Sequence, residues 1–356
     1  MPSSFQISDH CIGVDHPPFV IAEMSGNHNQ SLERALAIVD AAAAAGAHAL
    51  KLQTYTADTI TLNVEGGDFT INDPQSLWKG KNLHALYQQA HTPWEWHRPI
   101  MQRAQDHGMV CFSSPFDESA VDFLEELNTP AYKIASFENN HLPLIAKAAA
   151  TGKPLIISTG MASLGELEQA VRTARDAGCK NLVLLKCTST YPASPENTNI
   201  RTIPHLRDLL NCEVGLSDHT LGVGVAVAAV ALGATVIEKH FTLSRAEGGV
   251  DSAFSMEPHE LSALVEESHR AWQSLGKVTY GPTDAETKSL VFRRSIYVSA
   301  DIKAGETFSR ENIRIVRPGH GASPALYETL LGKTSRINWR AGTPLNLDSV
   351  LGESSP

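Results

Sequence analysis

The chain lacks most of what would staple, anchor or carry it to a polyanion. Its 356 residues hold five cysteines, Cys11, Cys111, Cys179, Cys187 and Cys212, odd in number, widely scattered and without a C-x-x-C pair. Neither a disulfide framework nor a zinc knuckle is indicated, and a reducing cytoplasm is the expected location. Basic charge is in deficit: 29 Lys and Arg stand against 39 Asp and Glu, a formal net charge of −10. Such an average field repels nucleic acid and anionic membranes, so neither is an expected partner. An anionic small molecule would bind only where Lys and Arg are gathered locally. The opening "MPSSFQISDHCIGVDHPPFV" has no basic start followed by an apolar core, and does not read as a signal peptide. The most apolar stretch, "GVGVAVAAVALGATVI" at 222–237, is interrupted by glycine and shorter than the roughly 20 residues a membrane span needs.

What is present is an alternation. Eight short apolar runs begin at residues 19, 49, 110, 131, 154, 182, 214 and 235, and segments of helical period such as "SLERALAIVDAAAAAG" and "LGELEQAVRTARDAG" separate them, several ending on glycine. Strands apolar on both faces, each followed by a helix, predict a parallel sheet wrapped in helices. Eight such units over this length predict an α/β fold of the (β/α)8 TIM-barrel type. A doubly wound open sheet is the runner-up, and the absence of a G-x-G-x-x-G turn weighs against it. The connection from Thr56 to Thr92 is out of proportion, as functional lids and binding loops are. After the last barrel helix the composition changes, predicting a barrel domain over 1–276, a linker over 277–292 and a small β-rich domain over 293–356 with repeated "KAGE" and "RAGT" turns. A domain that small is marginal alone.

In a (β/α)8 barrel the reacting groups come from the C-terminal strand ends. Those positions here hold Glu23, Lys51, Gln53, Ser114, Lys133, Ser136, Ser158, Lys186, Ser217, Asp218, His219, Glu238, Lys239 and His240. Polar residues at strand ends are ordinary, but charges inside apolar runs are not, because an unpaired buried Lys or Glu is costly. His219 and His240 end successive strands, so their imidazoles are candidates to hold one divalent transition metal with positions left for water and a substrate oxygen. The competing reading makes one a core histidine and Asp218 or Glu238 a helix cap. Lys51 and Lys133, with Lys186 as a possible third, face serine hydroxyls, a set suited to a phosphate or carboxylate. A lysine Schiff base remains open on these residues alone.

The segments "AEMSGNHNQS", "KLQTYT", "FSSPFD", "YKIASFE", "ISTGM", "GLSDHT" and "IEKHFT" resemble the sialic acid synthase family, and the tail "RRSIYVSADIKAGE…VRPGHG" resembles its antifreeze-like (SAF) domain. The likeness runs in order along nearly the whole chain. It implies condensation of phosphoenolpyruvate with an open-chain amino sugar to a nine-carbon 2-keto acid and phosphate, with a divalent ion, Mn²⁺ before Mg²⁺ or Co²⁺, polarising the aldehyde. "NHNQSLERAL" and "LSRAEGGVDSAFSMEP" look like the branch that forms pseudaminic acid, whose acceptor is a 2,4-diacetamido-2,4,6-trideoxy-altrose. The same chemistry on N-acetylmannosamine or a legionaminic precursor is the near alternative. A lysine aldolase is the remote one, and a carbohydrate-binding protein a third.

Carried over by resemblance, His219 and His240 are the metal ligands. Lys51, Ser114, Lys133, Ser136, Ser158 and Ser217 hold phosphoenolpyruvate, and Gln53, Tyr191 and Asp251 lie at the sugar. Glu23, Glu138, Glu238 and Lys51 are the catalytic candidates, Glu138 or Glu238 managing protons or water. Arg317 in "VRPG" matches an arginine that reaches the partner subunit's site, which implies a domain-swapped homodimer. Where the sialic synthases have an asparagine before the tyrosine of "CTSTYP", this chain has Ser189 and Thr190, which fits a different sugar. A deoxygenated, acetylated sugar is more apolar, so Trp78, Tyr87, Trp94 and Trp96 are candidates to pack on its methyl groups.

Overall fold

A computed structural model describes residues 4–73 and 76–351; residues 1–3, 74–75 of the long connection and the final five lie outside it. The chain divides into two compact units, one up to Gly276 and one from Lys277 onward. A hairpin, β1 (Phe5–Ile7) and β2 (His10–Ile12), precedes the barrel and was not expected from the sequence. The eight barrel strands are β3 (Phe19–Glu23), β4 (Ala49–Thr54), β5 (Val110–Pro115), β6 (Tyr132–Ile134), β7 (Leu155–Ser158), β8 (Leu182–Cys187), β9 (Glu213–Asp218) and β10 (Val236–His240). They are all parallel and close in sequence order, β10 pairing β3. The predicted TIM barrel is therefore correct, strand by strand.

Side chains on a strand alternate between faces. Here one parity fills the lumen and the other meets the helices. Phe19, Ile21, Ala49, Val110, Phe112, Ala131, Ile156, Val183, Leu185 and Val236 form one apolar cluster, joined by Ile7 and Ile12 of the hairpin. Their neighbours of opposite parity, such as Val20, Ala22, Leu50 and Leu52, belong to the larger core shared with the helices. The lumen leaves no spare room at Gly215, where a Cβ would stand 2.1 Å from the Val236 carbonyl oxygen. Helices begin on local caps: Ser31 accepts from the Arg34 amide, and Ser163 and Glu166 form a reciprocal capping box.

The long connection is not structureless. It contains short helices at Ala57–Ile60 and Leu83–Ala90. The second unit has its own core of Ile296, Val298, Ile302, Phe308, Ile313, Trp339 and Leu345. It is built on β11 (Ser295–Val298) paired antiparallel with β12 (Ile313–Val316). Residues 277–292, expected as a linker, belong to this unit and include a run of 3-10 turns at Asp284–Phe292.

Candidate active site

The lumen changes chemistry along its length. Continuing the inward parity from the apolar layers leads to Glu23, Lys51, Gln53, Ser114, Lys133, Ser158, Ser217, Glu238 and His240 at the C-terminal ends. The result is a closed ionic layer resting on hydrocarbon. Lys51 Nζ lies 2.7 Å from Glu23 Oε2 and 3.9 Å from Glu238 Oε2, and Lys133 Nζ lies 3.5 Å from Glu238 Oε1. Lys51 also donates to Ser114 Oγ (3.3 Å), Gln53 to Glu23 Oε1 (2.8 Å) and Ser217 to Glu238 Oε1 (3.0 Å). All four charged residues are at most 4 % exposed.

Burial and pairing divide these groups by protonation. Burial raises Glu23 to about 7, against the pull of Lys51 and with the push of Glu238. Burial by itself would raise Glu238 too, but Lys133 and Lys51 outweigh it and hold that carboxyl below its ordinary value. Burial lowers Lys133, opposed by Glu238. Lys51 is raised because Glu23 and Glu238 overcome its desolvation. Glu138 follows β6 and is raised by burial to about 7, with Lys133 and Lys51 opposing. The layer thus contains an ionised carboxylate at Glu238 beside two carboxyls that retain protons near neutrality.

His219 and His240 meet with ring centroids 5.3 Å apart, tilted by 58°. His219 Nδ1 is 2.9 Å from the Thr188 carbonyl. A nitrogen facing a carbonyl carries a proton, which makes Nε2 the atom of this ring that could bind a metal; burial would lower the ring's pKa, but Cys187 and the Thr188 carbonyl outweigh it and raise it. Burial, with His219 and Lys51 nearby, holds the pKa of His240 well below its ordinary value, so this ring is neutral. Its buried Nδ1 has no hydrogen-bond partner and faces Asp251 Oδ2 across 3.8 Å. Two facing imidazoles, one with an orphaned nitrogen, fit a divalent transition metal. No cluster of three or more His, Cys, Asp and Glu ligands exists among the described residues; two imidazoles alone would leave positions on such an ion for water or a substrate oxygen.

Tyr191 lies against His219 (centroids 4.4 Å), His240 (6.2 Å) and Phe254 (5.1 Å). Trp78 of the long connection meets Tyr191 edge-on at 6.1 Å and donates to the Val250 carbonyl at 3.2 Å. The connection therefore does reach the strand-end face. Trp78, Gly26, Asn29, Gln30, Lys81 and Val250 line a cavity of about 530 Å³. The Ser136 hydroxyl accepts from the Gly160 amide (3.2 Å), and buried Ser158 Oγ has no partner.

Several expectations change. Lys186 has the wrong parity for the lumen and instead donates to the Cys187 carbonyl and the Thr188 hydroxyl. Asp218 and Lys239 likewise face away from the mouth and pair with each other. Of the four aromatics offered for the sugar, Trp94 stacks on Phe123, Trp96 packs on His28 and Tyr87 on Tyr55. Only Trp78 lines the cavity. Arg317 follows β12 in the second unit and is exposed. Sequence reading missed Ser25, which adopts a left-handed φ of 47° and donates to Asp251, and Phe254, a wall beside His240. Polar, turn-rich "SGNHN" directly after a strand was the available signal for the first. Phe254 had none.

The comparisons agree with this geometry. The NeuB family model matches residues 38–280 and the SAF domain model residues 293–351. The pseudaminic acid synthase of Campylobacter jejuni is 45% identical over 331 residues, 93% of this chain and 96% of that one. The pseudaminic acid synthase of Helicobacter pylori is 40% identical, covering 94% and 98%. Among solved structures, the N-acetylneuraminic acid synthetase of Leptospira borgpetersenii superposes with a TM-score of 0.72 at 31% identity, over 82% of this chain and 96% of that one. The chain belongs to the NeuB family, with a SAF domain after its barrel.

Proposed function

We propose that the chain acts as a pseudaminic acid synthase, condensing phosphoenolpyruvate with 2,4-diacetamido-2,4,6-trideoxy-β-L-altropyranose to give the nine-carbon 2-keto acid and phosphate. The observation that carries this reading is the buried Glu23–Lys51–Glu238–Lys133 layer beside two facing imidazoles. Two buried lysines of an otherwise acidic chain would meet the charge of a trianionic enol phosphate. The sugar follows from the relatives, whose pseudaminic members are 45% and 40% identical against 31% for the neuraminic structure.

In this reading Lys51, Lys133, Ser114, Ser136, Ser158 and Ser217 hold the carboxylate and phosphate, and the unpartnered Ser158 hydroxyl is free to donate. His219 and His240 hold a divalent ion, Mn²⁺ by preference. Such an ion supplies Lewis-acid polarisation of the aldehyde. C3 of phosphoenolpyruvate bonds to the aldehyde carbon, and Glu23, protonated to about 7, gives the aldehyde oxygen the proton it needs as a hydroxyl. Water adds to C2 and passes its proton to ionised Glu238, with Glu138 beside the lysines as the alternative acceptor. The C2–O bond to phosphate then breaks, the departing phosphate taking the proton of the C2 hydroxyl, and the ketone is left.

Gln53, Tyr191 and Asp251 orient the sugar, and Trp78 meets an acetamido methyl in the cavity. The exposed apolar residues Phe137, Met161, Leu164 and Leu221, in the loops and first helical turns that follow barrel strands, favour a covering partner. We assign that role to the second unit of another copy, with Arg317 reaching in, as a homodimer in the cytoplasm. Phosphate release measured with phosphoenolpyruvate and a panel of amino sugars, with and without Mn²⁺, tests the proposal. Metal-dependent turnover is expected with the 2,4-diacetamido altrose sugar. Faster turnover with N-acetylmannosamine or the legionaminic precursor would reassign the acceptor, and metal-independent borohydride trapping would restore the lysine aldolase.

A further inference from the structure

Asp218 and Lys239 have no part in the chemistry above, yet each immediately precedes one of the two imidazoles in the chain. They are register partners across β9 and β10, the last residue of β9 against the residue before the end of β10. Their charges lie 3.0 Å apart, with the Asp218 and Lys239 side chains 1 % and 2 % exposed on the helix-facing side of the barrel wall. Both turn onto Thr220. Asp218 Oδ1 accepts from the Thr220 amide at 2.9 Å and Oδ2 from its hydroxyl at 3.1 Å, while Lys239 donates to its carbonyl. Every polar group of Thr220 is therefore held by this pair.

The placement has a consequence for His219. β9 ends at Asp218, and the next helix begins only at Gly224. His219 thus stands on irregular chain that runs on to Leu221, which is 64% exposed. Its ring is tied to the Thr188 carbonyl on one side. Its backbone carbonyl accepts from the Ala193 amide at 3.0 Å, and the residues on either side of it, Asp218 and Thr220, are secured by the outer pair. His240, by contrast, is the final residue of a strand paired to Glu23 of β3.

We propose that Asp218, Lys239 and Thr220 form a positioning clip that sets the separation of the two imidazoles, and through it the affinity for a divalent cation, without touching any reactant. This rests on the reading that His219 and His240 hold the metal. A pair that served only the stability of the wall would lower the unfolding midpoint when removed and leave metal affinity in the folded protein as it was.

The test is Mn²⁺ binding to the metal-free full chain, read from the electron paramagnetic resonance signal of the free ion. Alongside it run calorimetric titration of phosphoenolpyruvate without metal and thermal unfolding. Removing both charges together in Asp218→Asn/Lys239→Met avoids leaving one buried ion alone. The expected result is a Kd for Mn²⁺ weakened by about 10–100-fold, the range for residues supporting metal ligands, with phosphoenolpyruvate affinity unchanged. Thr220→Val should weaken Mn²⁺ in the same direction by less, and it decides the matter if the double variant does not fold. A Mn²⁺ Kd within about twofold of wild type in a cooperatively folded variant overturns the clip, as does an equal loss of phosphoenolpyruvate affinity. Wild type that binds no Mn²⁺, or His219→Ala that binds it as well as wild type, overturns the metal reading itself.

Discussion

The two faces of β10 treat buried charge in opposite ways. On the outer face, Lys239 meets Asp218 and Thr220, and no polar atom of that group is left over. On the inner face, one residue away in either direction, Glu238 Oε2 and His240 Nδ1 are buried without hydrogen-bond partners, as are Ser158 Oγ and Glu23 Oε2 close by, the last in ionic contact with Lys51 but not aligned for a hydrogen bond. Orphaned polar atoms are rare in folded proteins because each forfeits hydration without a replacement. Where they gather around one space, a ligand can supply the partner. The outer pair is satisfied within the protein, and the inner set is not.

That contrast predicts that an inner-face side chain with no ion-pair partner to strand can be removed with a large loss of activity and no loss of stability. His240→Ala should lower kcat by about 1,000-fold or more, the loss of several kcal/mol of electrophilic assistance, and should abolish Mn²⁺ binding. Its urea midpoint should stay level or rise, since an unpaired buried nitrogen has gone. A marked drop in the midpoint with metal binding intact would make His240 a core residue and break the comparison.

Glu138 sharpens it through pH. Its folded-state pKa is raised from 4.5 to about 7, chiefly by burial. The protonated form is thus favoured by folding, and that contribution is present below 4.5 and lost as pH rises through about 7. Glu138→Gln, neutral throughout, should match wild type in acid and exceed it in stability above about pH 7, while turnover falls. Unfolding curves at the two pH values check the sign, and parallel curves would remove Glu138 from the inner set. The smallest effect is expected at the rim. Trp78→Ala should raise the KM for the sugar by about 3–10-fold through lost aromatic contact and leave the KM for phosphoenolpyruvate unchanged. Steady-state kinetics with each substrate varied in turn separates the two.

The barrel was legible because a strand buried on both faces must be apolar throughout, and eight such runs at regular intervals have few other ways to pack. Glu23, Lys51, Lys133, Glu238 and both histidines stood out for the same reason, as charges interrupting apolar runs. Lys186 and Asp218 were misjudged because proximity to a strand end does not fix the face. A shift of one residue turns the side chain away, and only the register against Leu216 and Lys239 settles it. Trp94 and Trp96 looked like sugar contacts until their rings were found packed on Phe123 and His28, since composition does not tell a core aromatic from a pocket wall.

By itself, then, the sequence determined the number and order of the barrel units and the kinds of groups at their ends, because periodicity and burial cost act locally along the chain. Tertiary structure alone decided which carboxyls keep a proton, which nitrogen is left without a partner and which loop residue meets Tyr191. Those properties depend on distances between strands far apart in sequence, and electrostatic and hydrogen-bond energies are set by such distances rather than by the residues taken singly.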